Sequence, residues 1–233
     1  MSYESEVHLA QMVILKHLLF VDELSFANLR KATGLESDAF NFHIKQLICN
    51  GYVIKRSPGR YSLTKNGKTY ANRMDTDNNI IEKQPKLSVV IIVKNKEGKH
   101  LFQQRLKQPY FNYWGHPTGK IRWGETVIET AERELLEETG LTANFEVVGI
   151  FHKLDYDSST KNLFEDKYFY MVLGKNPSGD LRDCEGCHNE WLTADEFLQN
   201  EKRFGNIIQT EKILSGDLPN IVEQKYYYSS EDY

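Results

Sequence analysis

The sequence predicts an α+β protein with a small helical N-terminal part and a larger part in which strands dominate. Three observations support this expectation. Apolar residues recur at helical spacing in the first 50 residues, strand-like apolar segments begin at Leu87, and a polar stretch without periodicity separates the two regions. We therefore expect an N-terminal domain over residues 1–74, a linker over residues 75–85 and a second domain over residues 86–233.

The N-terminal part predicts three helices, because short periodic segments are bounded by residues that begin and end helices. Serine accepts hydrogen bonds from free N–H groups at a helix N-terminus, and glycine adopts the left-handed conformation that closes many helices. The helices are expected over His8–Phe20, Phe26–Thr33 and Asp38–Asn50, with Ser25 and Ser37 as N-caps and Gly34 and Gly51 as the terminal glycines.

A hairpin is expected after the third helix, because residues 52–56 and 60–64 alternate around Ser57-Pro58-Gly59. Three helices followed by a hairpin resemble a winged helix-turn-helix, and Leu24–Met74 is similar to regulator domains of bacteria and archaea. In such domains the third helix enters the major groove of DNA and the hairpin contacts phosphates. Phe40, Ile44, Leu47 and Ile48 would then face the core.

The resemblance implies that this domain binds double-stranded DNA, as part of a homodimer. A winged helix can also serve dimerisation or protein contact alone, because a fold does not fix a function. The residues expected to contact DNA are Asn41 and Lys45 on the third helix and Lys55, Arg56 and Arg60 on the hairpin.

The composition favours a globular protein of the cytoplasm. Hydrophobic residues make up 40% and charged residues 27%, and we expect neither a signal peptide nor a membrane span. With only three cysteines, a disulfide framework is not expected. The net charge of −4 combines +3 in residues 1–75 (10 Lys+Arg, 7 Asp+Glu) with −7 in residues 76–233 (19 and 26), which indicates different partners for the two parts.

In the second part, apolar runs and alternation predict strands, and helical spacing predicts three helices. Strands are expected over Leu87–Val93, leading by a hairpin into Leu101–Arg105, and then near Phe145–Leu154 and Lys167–Leu173; helices are expected over Thr126–Thr139, Ala194–Gln199 and Asn206–Leu214.

The segment from Gly119 to Leu141 carries the chemistry. Thr126 and Glu129 form a capping box that begins a helix, and Gly140 ends it. One face of this helix carries an apolar stripe, and three like charges gather on the neighbouring face, where they repel one another. Such carboxylates are the ligands that Mg²⁺ prefers. The three charged residues are Glu134, Glu137 and Glu138, and the stripe is Val127, Ile128, Ala131 and Leu135.

This segment matches G-x5-E-x7-R-E-U-x-E-E-x-G-U, with U aliphatic, at all nine defined positions, and resembles the Nudix box. The resemblance covers about residues 86–215 and implies an α/β/α sandwich with a mixed sheet. It also implies Mg²⁺ or Mn²⁺ as cofactor. The metal ligands would be Glu134, Glu137, Glu138 and the backbone carbonyl of Thr118 or Gly119, with Arg133 and Glu125 bracing the loop against the helix.

One position departs from many members of the family, which have Pro-Gly-Gly where this chain has Pro117-Thr118-Gly119. A more local resemblance to MutT-type pyrophosphohydrolases lies in Glu185-Gly186 ahead of Trp191. It implies Glu185 as a fourth ligand, with Glu165 as the alternative. The residues expected to bind the substrate are His116, Asn206 and Arg105. Asn206 aligns with an asparagine that reads the purine edge in that subfamily; its alternative role is to cap a helix.

The loop Cys184-Glu-Gly-Cys187-His188 fits the C-x-x-C-H pattern of haem attachment. Haem attachment requires export, for which no signal is seen, and a zinc site would need further cysteine or histidine ligands. We therefore expect ordinary loop thiols.

Together these patterns predict a metal-dependent hydrolase that cleaves a phosphoanhydride bond in a nucleoside diphosphate linked to another group. Nucleoside triphosphates are the substrates we expect first, and Glu134 or Glu185 would act as general base. The alternative is a transcriptional regulator in which the Nudix domain senses a nucleotide and the winged helix binds DNA.

Overall fold

The computed structural model describes residues 7–56, 58–205, 207–229 and 231. The chain divides into two compact units, Met1–Lys83 and Gln84–Tyr233. Among the described residues, no helix combines the length and the apolar character that crossing a membrane would require.

Among its described residues, the first unit contains four helices and two small sheets. The elements are α1 (Leu9–Leu19), β1 (Leu24–Ser25), α2 (Phe26–Thr33), α3 (Ser37–Cys49), β2 (Val53–Arg56), β3 (Arg60–Leu63), α4 (Lys65–Ala71), β4 (Met74–Asp75) and β5 (Ile80–Ile81). β1, β3 and β2 pair in that order, and β4 pairs with β5 across the start of the stretch that the sequence predicts to be a linker.

The predicted helix boundaries are confirmed for α2, where Ser25 accepts a hydrogen bond from the Asn28 amide and Gly34 closes the helix at φ +66. The predicted cap of α3 is wrong by one residue. Glu36 occupies the N-cap without a side-chain hydrogen bond, and Ser37 is already helical. The sequence does not predict α4, which Thr64 caps by accepting a hydrogen bond from the Gly67 amide.

One core holds this unit together, and α1, α2, α3 and the hairpin all contribute to it. Phe40, Ile44 and Leu47 of α3 are buried, as expected. The placement of Ile48 in the core is wrong, because its side chain is 37% exposed near the end of α3. The turn residue Ser57 lies outside the described residues, and Gly59 beside it has φ +73.

In the part that the structure describes, the second unit is built around two sheets and three helices. Its elements are β6 (Lys86–Val93), β7 (His100–Arg105), β8 (Trp114–Gly115), β9 (Thr118–Lys120), α5 (Val127–Thr139), β10 (Thr142–Asp157), β11 (Leu163–Ser178), β12 (Cys187–Leu192), α6 (Ala194–Leu198), α7 (Ile207–Ser215) and β13 (Ile221–Tyr228).

The larger sheet has five strands in the order β13-β10-β11-β6-β9. β10 pairs parallel with β13 and antiparallel with β11, whereas β6 pairs parallel with β11 and antiparallel with β9. The predicted mixed sheet is therefore confirmed. The sequence does not predict β13, in which polar residues interrupt the apolar pattern.

Helices cover both faces of this sheet, which explains why Val89–Val93 of β6 is an unbroken apolar run. Val89, Ile91 and Val93 pack on one face in a core shared with Ala131 and Leu135 of α5. On the opposite face, Val90 and Ile92 share a core with residues of α7, including Ile213. The side chains of β6 thus alternate between two apolar layers.

The predicted hairpin between β6 and β7 is confirmed at its turn but does not continue into paired strands. A turn over Asn95–Lys99 is present, and an isolated bridge joins Lys94 to His100. Beyond that bridge, β6 forms its hydrogen bonds with β11 and β9, whereas β7 lies in a separate sheet of order β12-β7-β8. Phe102 of β7 packs with Trp114 and Phe197 in its own small core.

Candidate active site

The helix α5 begins and ends as its sequence predicts. Thr126 accepts a hydrogen bond from the Glu129 amide, and the Glu129 carboxylate accepts one from the Thr126 amide. Gly140 closes the helix at φ +76. The apolar face packs on the sheet, so the acidic face is directed away from the core.

Arg133 ties the loop before α5 to the helix. Its Nε and Nη2 donate to the two carboxylate oxygens of Glu125 at 2.7 and 2.8 Å, and Nη1 donates to Glu134 Oε1 at 2.6 Å. Nη2 also donates to the backbone carbonyl of Lys120 at 3.2 Å. The hydrogen bond to Arg133 lowers the pKa of Glu125 to about 2, so this carboxylate stays ionised.

A pocket of about 540 Å³ lies beside this helix, between β6, β7, β9, β10 and β11. Five of the site residues that the sequence predicts line it: Arg105, His116, Gly119, Glu134 and Glu138. The other predicted residues of the site, Glu125, Arg133, Glu137 and Glu185, are not among its lining residues.

Glu138 is a half-buried carboxylate of the acidic face. Burial raises its pKa, the nearby charge of Glu134 adds to this, and a hydrogen bond from Gln103 Nε2 at 3.1 Å opposes it. Glu137, in contrast, is about half exposed and contacts Arg133 at 3.3 Å. The pair Glu134 and Glu138 therefore offers carboxylate oxygens whose repulsion a cation would relieve.

Glu185 lies in the turn that joins Cys184 to Cys187, with Gly186 at φ +79. Its side chain is exposed, whereas Gly186 lines the pocket. The expectation of free thiols is wrong here, because Cys184 and Cys187 form a disulfide. Reciprocal backbone hydrogen bonds between the two cysteines hold their Cα atoms 5.1 Å apart, a separation suited to such a bond.

Glu165, the alternative fourth ligand, does line the pocket but is engaged by two lysines. Its Oε1 accepts a hydrogen bond from Lys86 Nζ at 2.8 Å, and its Oε2 lies 2.8 Å from Lys167 Nζ. The side chain of Glu165 is only 3% exposed, so this pairing compensates its charge.

The sequence does not predict the charged floor of the pocket. Lys153 Nζ donates to Asp155 Oδ2 at 2.6 Å, and both side chains are buried. Burial lowers the pKa of Lys153, and Asp155 opposes that shift. The alternation of Lys153, Asp155 and Asp157 with Leu154 and Tyr156 along β10 is the signal in the sequence that indicates a polar strand face.

Aromatic residues form the other end of the pocket. The rings of Tyr110, Tyr113 and Phe204 lie with their centroids 5.2 to 5.4 Å apart, and all three residues line the pocket. Tyr110 OH donates to Asp155 Oδ2 at 3.1 Å, and burial, together with Asp155, raises the pKa of Tyr110. At this end of the pocket, aromatic rings therefore lie next to the charged residues of the floor.

Of the expected substrate-binding residues, His116 lines the pocket. His116 is buried, and this burial, with His100 nearby, lowers its pKa to about 3, so the imidazole is neutral near pH 7. Asn206 lies outside the described residues.

The residues expected to contact DNA lie on α3 and on the β2–β3 hairpin. Asn41 is half-buried, whereas Lys45 and Lys55 are exposed. Two arginines have partners within the unit: Arg56 Nε donates to Ser62 Oγ at 3.2 Å, and Arg60 pairs with Glu23 at 3.0 Å.

The model of the NUDIX domain family matches residues 84–210. Among curated proteins, the chain is 29% identical over 119 residues to the 8-oxo-dGTP diphosphatase of Escherichia coli (strain K12), covering 48% of this chain and 88% of that protein. It is 33% identical over 154 residues to the isopentenyl-diphosphate Delta-isomerase of Serratia proteamaculans (strain 568), covering 56% of this chain and 82% of that protein.

Similar solved structures include the MutT protein from Bacillus halodurans, with a TM-score of 0.49 and 22% identity over 64% of this chain and 93% of that one. The NUDIX domain of Shewanella oneidensis NrtR, solved in complex with ADP ribose, has a TM-score of 0.44 and 18% identity over 66% of this chain and 99% of that one.

Proposed function

This chain is a member of the Nudix hydrolase family, and we propose that it uses a divalent metal ion to cleave a phosphoanhydride bond in a nucleoside diphosphate linked to another group. The observation that carries the proposal is the charge of one pocket, which presents both glutamates and lysines. Within the described part of the chain, seven basic and four acidic side chains line it. Such a pocket suits a polyanion bound together with a cation.

Glu134 and Glu138 would hold the metal ion, Mg²⁺ or Mn²⁺, and we propose Glu137, Glu185 and the Gly119 carbonyl as further ligands. The donor set fits a hard cation, because carboxylate and carbonyl oxygens are its preferred ligands. Burial and the nearby charge of Glu134 raise the pKa of Glu138, and a bound cation would stabilise the ionised carboxylate, which supports this assignment. When bound, the ion would neutralise phosphate oxygens and make a coordinated water more acidic.

The chain's own residues would bind and orient the phosphates and accept a proton. Lys86, Lys120 and Lys167 line the pocket where a diphosphate would meet them. Of the two glutamates proposed as general base, Glu134 lines this pocket, and its Oε1 is oriented by Arg133 at 2.6 Å. Arg105 is a further candidate for phosphate contact.

The aromatic end of the pocket supports a nucleotide as the substrate. Tyr110, Tyr113 and Phe204 offer ring faces on which a base can stack. The relative from Escherichia coli, an 8-oxo-dGTP diphosphatase, favours nucleoside triphosphates as the first substrates to test. Asn206 stays a proposal for the contact with the purine edge.

The decisive experiment is a panel of nucleoside triphosphates, dinucleoside polyphosphates and nucleotide sugars, assayed for release of phosphate or pyrophosphate with and without Mg²⁺. Glu138→Gln should lower turnover at least about 100-fold, because it removes a charged metal partner. Glu132→Gln is the matched control, since Glu132 is exposed on the same helix and does not line the pocket. Equal activity of the two variants would contradict the proposal.

Isopentenyl diphosphate belongs in the same panel, because the relative from Serratia proteamaculans is an isomerase rather than a hydrolase. Rearrangement of that compound, with no nucleotide hydrolysed, would replace the proposed reaction while leaving the family unchanged.

We also propose that the first unit binds double-stranded DNA as a winged helix, in a homodimer. The supporting observation is the order of α1, α2, α3 and the β2–β3 hairpin, which leaves Lys45 and Lys55 exposed. Helix and hairpin positions of this kind are where winged helices meet groove and phosphate. In that case the second unit could sense a nucleotide as well as hydrolyse it.

Fluorescence anisotropy of the full chain on random duplex DNA at low salt tests this second proposal. Binding should weaken as salt rises, because contacts with phosphates release counterions. Lys45→Ala with Lys55→Ala should weaken binding, whereas Arg60→Ala should matter less, since Arg60 already pairs with Glu23. Absence of salt-sensitive binding would assign the unit to dimerisation or protein contact and leave the hydrolase proposal unaffected.

A further inference from the structure

Two histidines and a glutamate from three separate segments of the second unit meet near α7. His100 is the first residue of β7, His116 lies between β8 and β9, and Glu211 belongs to α7. Each offers one ligand atom, and the three atoms lie within 4.8 Å of one another. Both histidines are buried and Glu211 is half-buried.

The three side chains direct unpartnered polar atoms toward one another. Within the described residues, His100 Nδ1, His116 Nε2 and Glu211 Oε1 are buried atoms without a hydrogen-bond partner. His100 Nδ1 lies 3.4 Å from Glu211 Oε1. Buried polar atoms are nearly always satisfied, so three such atoms at one point indicate a ligand that would bind all of them.

The protonation of His116 suits a metal ligand. Its Nδ1 lies 3.2 Å from the Leu101 carbonyl oxygen. A carbonyl only accepts hydrogen bonds, so Nδ1 carries the proton and Nε2 presents a free lone pair. A hydrogen bond from the second ring nitrogen to a backbone carbonyl is the usual support of a metal-bound histidine.

The surroundings favour a cation over a cluster of water molecules. The Phe102 ring stacks on His116 at 4.8 Å and on His100 at 5.9 Å, and Phe102 itself lies in an apolar core. These aromatic contacts fix both imidazoles. One water molecule can donate only two hydrogen bonds, whereas a metal ion accepts lone pairs from two nitrogens and one oxygen at once.

We propose that His100, His116 and Glu211 bind a zinc-type divalent ion, separate in its chemistry from the carboxylates of α5. Tetrahedral zinc with bonds of about 2.0–2.1 Å places its ligands about 3.3–3.4 Å apart. The 3.4 Å between His100 and Glu211 matches that spacing. Imidazole nitrogens select zinc and its neighbours, whereas magnesium prefers oxygen ligands alone.

Lys94 completes the arrangement around Glu211. Its Nζ lies 3.5 Å from Glu211 Oε2, while Oε1 is the atom that faces His100. Lys94 is partly exposed, so its charge remains solvated and the pair orients the carboxylate with one oxygen inward.

The site would fasten α7 to the segment that leads into the active site. His116 precedes Gly119 by three residues, and Gly119 packs against Glu134. An ion shared by β7, α7 and His116 would therefore hold that segment in place, which is the role of a structural metal.

The test uses the full chain, stripped of metal with a chelator and then titrated with Zn²⁺ or Co²⁺ in excess Mg²⁺. We expect one tightly held ion after dialysis, a visible Co²⁺ spectrum of tetrahedral nitrogen ligation, and a higher melting temperature with Zn²⁺. His100→Gln and Glu211→Gln should each lose the ion and the Zn²⁺-dependent stabilisation. Glu211→Gln is the safer variant for folding, because Glu211 is the least buried of the three.

Two controls separate this site from other ligand groups. The double variant Cys184→Ser with Cys187→Ser, and the double variant Glu134→Gln with Glu138→Gln, should both keep the ion. A wild-type chain that retains no zinc would overturn the proposal. Retention by both Glu211→Gln and His100→Gln, or loss in either control, would overturn it equally.

Discussion

The backbone of Gly119 packs so closely against the side chain of Glu134 that a Cβ atom at residue 119 would lie 2.0 Å from Cγ and 2.8 Å from Cβ of Glu134. Both distances are shorter than real contacts allow, and the second involves an atom that a change of rotamer cannot move far. Only glycine therefore fits at position 119 while Glu134 keeps its present position.

Gly119→Ala should displace Glu134 and lower Mg²⁺-dependent turnover by at least about 10-fold, because small shifts of a site's geometry are costly to catalysis. Thermal unfolding should change much less, since the three atoms nearest to that Cβ all belong to the side chain of Glu134 and none to the apolar core. Thr118→Ala, at the exposed neighbouring residue, is the matched control. Turnover as high in Gly119→Ala as in that control would show that the position of Glu134 is unimportant.

The contact between Arg133 and Glu125 gives a second prediction. Two parallel hydrogen bonds at 2.7 and 2.8 Å require the planar guanidinium, which lysine lacks. Arg133→Lys should therefore reduce metal affinity or turnover about 10–100-fold while keeping the charge. The measurement is activity against Mg²⁺ concentration, and an unchanged curve would assign the pair to stability alone.

The role of Glu185 as a metal ligand can be tested with a residue of the following strand as the control. If the turn brings its carboxylate to the metal ion, Glu185→Gln should raise the Mg²⁺ concentration for half-maximal activity without lowering the melting temperature. Glu190→Gln is the control, because Glu190 is exposed on β12. Identical Mg²⁺ curves for the two variants would remove Glu185 from the set of ligands and leave Glu165 as the alternative.

The features that the sequence predicts correctly depend on residues that lie close together in the chain. The capping box of Thr126 and Glu129, the terminal Gly140 and the apolar run Val89–Val93 of β6 depend on neighbouring residues, and all appear in the structure. The predicted contact of Arg133 with Glu125 depends on a spacing within one motif.

The features that the sequence does not predict depend on the pairing of strands that lie far apart in the chain. The partners of β6 and β7 are chosen by strands far along the chain, so a local turn at Asn95–Lys99 suggested a hairpin that does not continue. The pocket floor arises because Asp155 lies opposite Glu165 in the pairing of β10 with β11, and a register between distant strands cannot be read from local periodicity.

His152 predicts a dependence of stability on pH. Although partial burial lowers its pKa, hydrogen bonds to Glu223 at 2.7 Å and Asp166 at 2.8 Å outweigh that and raise it. A pKa raised by folding stabilises the protein below the unfolded value of about 6.5, and this contribution is lost as pH rises through the folded value.

The free energy of unfolding in urea, measured for the wild type and for His152→Gln across this range, tests the prediction. The difference between the two should be largest at acidic pH and should shrink as pH rises. A difference that stays constant, or that grows with pH, would contradict a protonated His152.

The last prediction concerns Asp155 on the floor of the pocket. Its Oδ2 accepts hydrogen bonds from Lys153 and Tyr110, whereas its Oδ1, within the described residues, is buried without a partner. Because Asp155 lines the pocket, Oδ1 is placed to accept a hydrogen bond from an N–H or O–H group of the substrate. Asp155→Asn should therefore raise KM at least about 10-fold, since a charge-assisted bond is weakened.

The same variant should also destabilise the fold, because it leaves the buried ammonium of Lys153 without its counter-charge, a loss of about 3–5 kcal/mol. The double variant Lys153→Met with Asp155→Leu separates the two effects, since apolar replacement of a buried ion pair restores most of the stability. If Asp155 contacts the substrate, KM stays raised in the double variant although the melting temperature recovers. Recovery of both KM and melting temperature would mean that the pair supports the fold and does not touch the substrate.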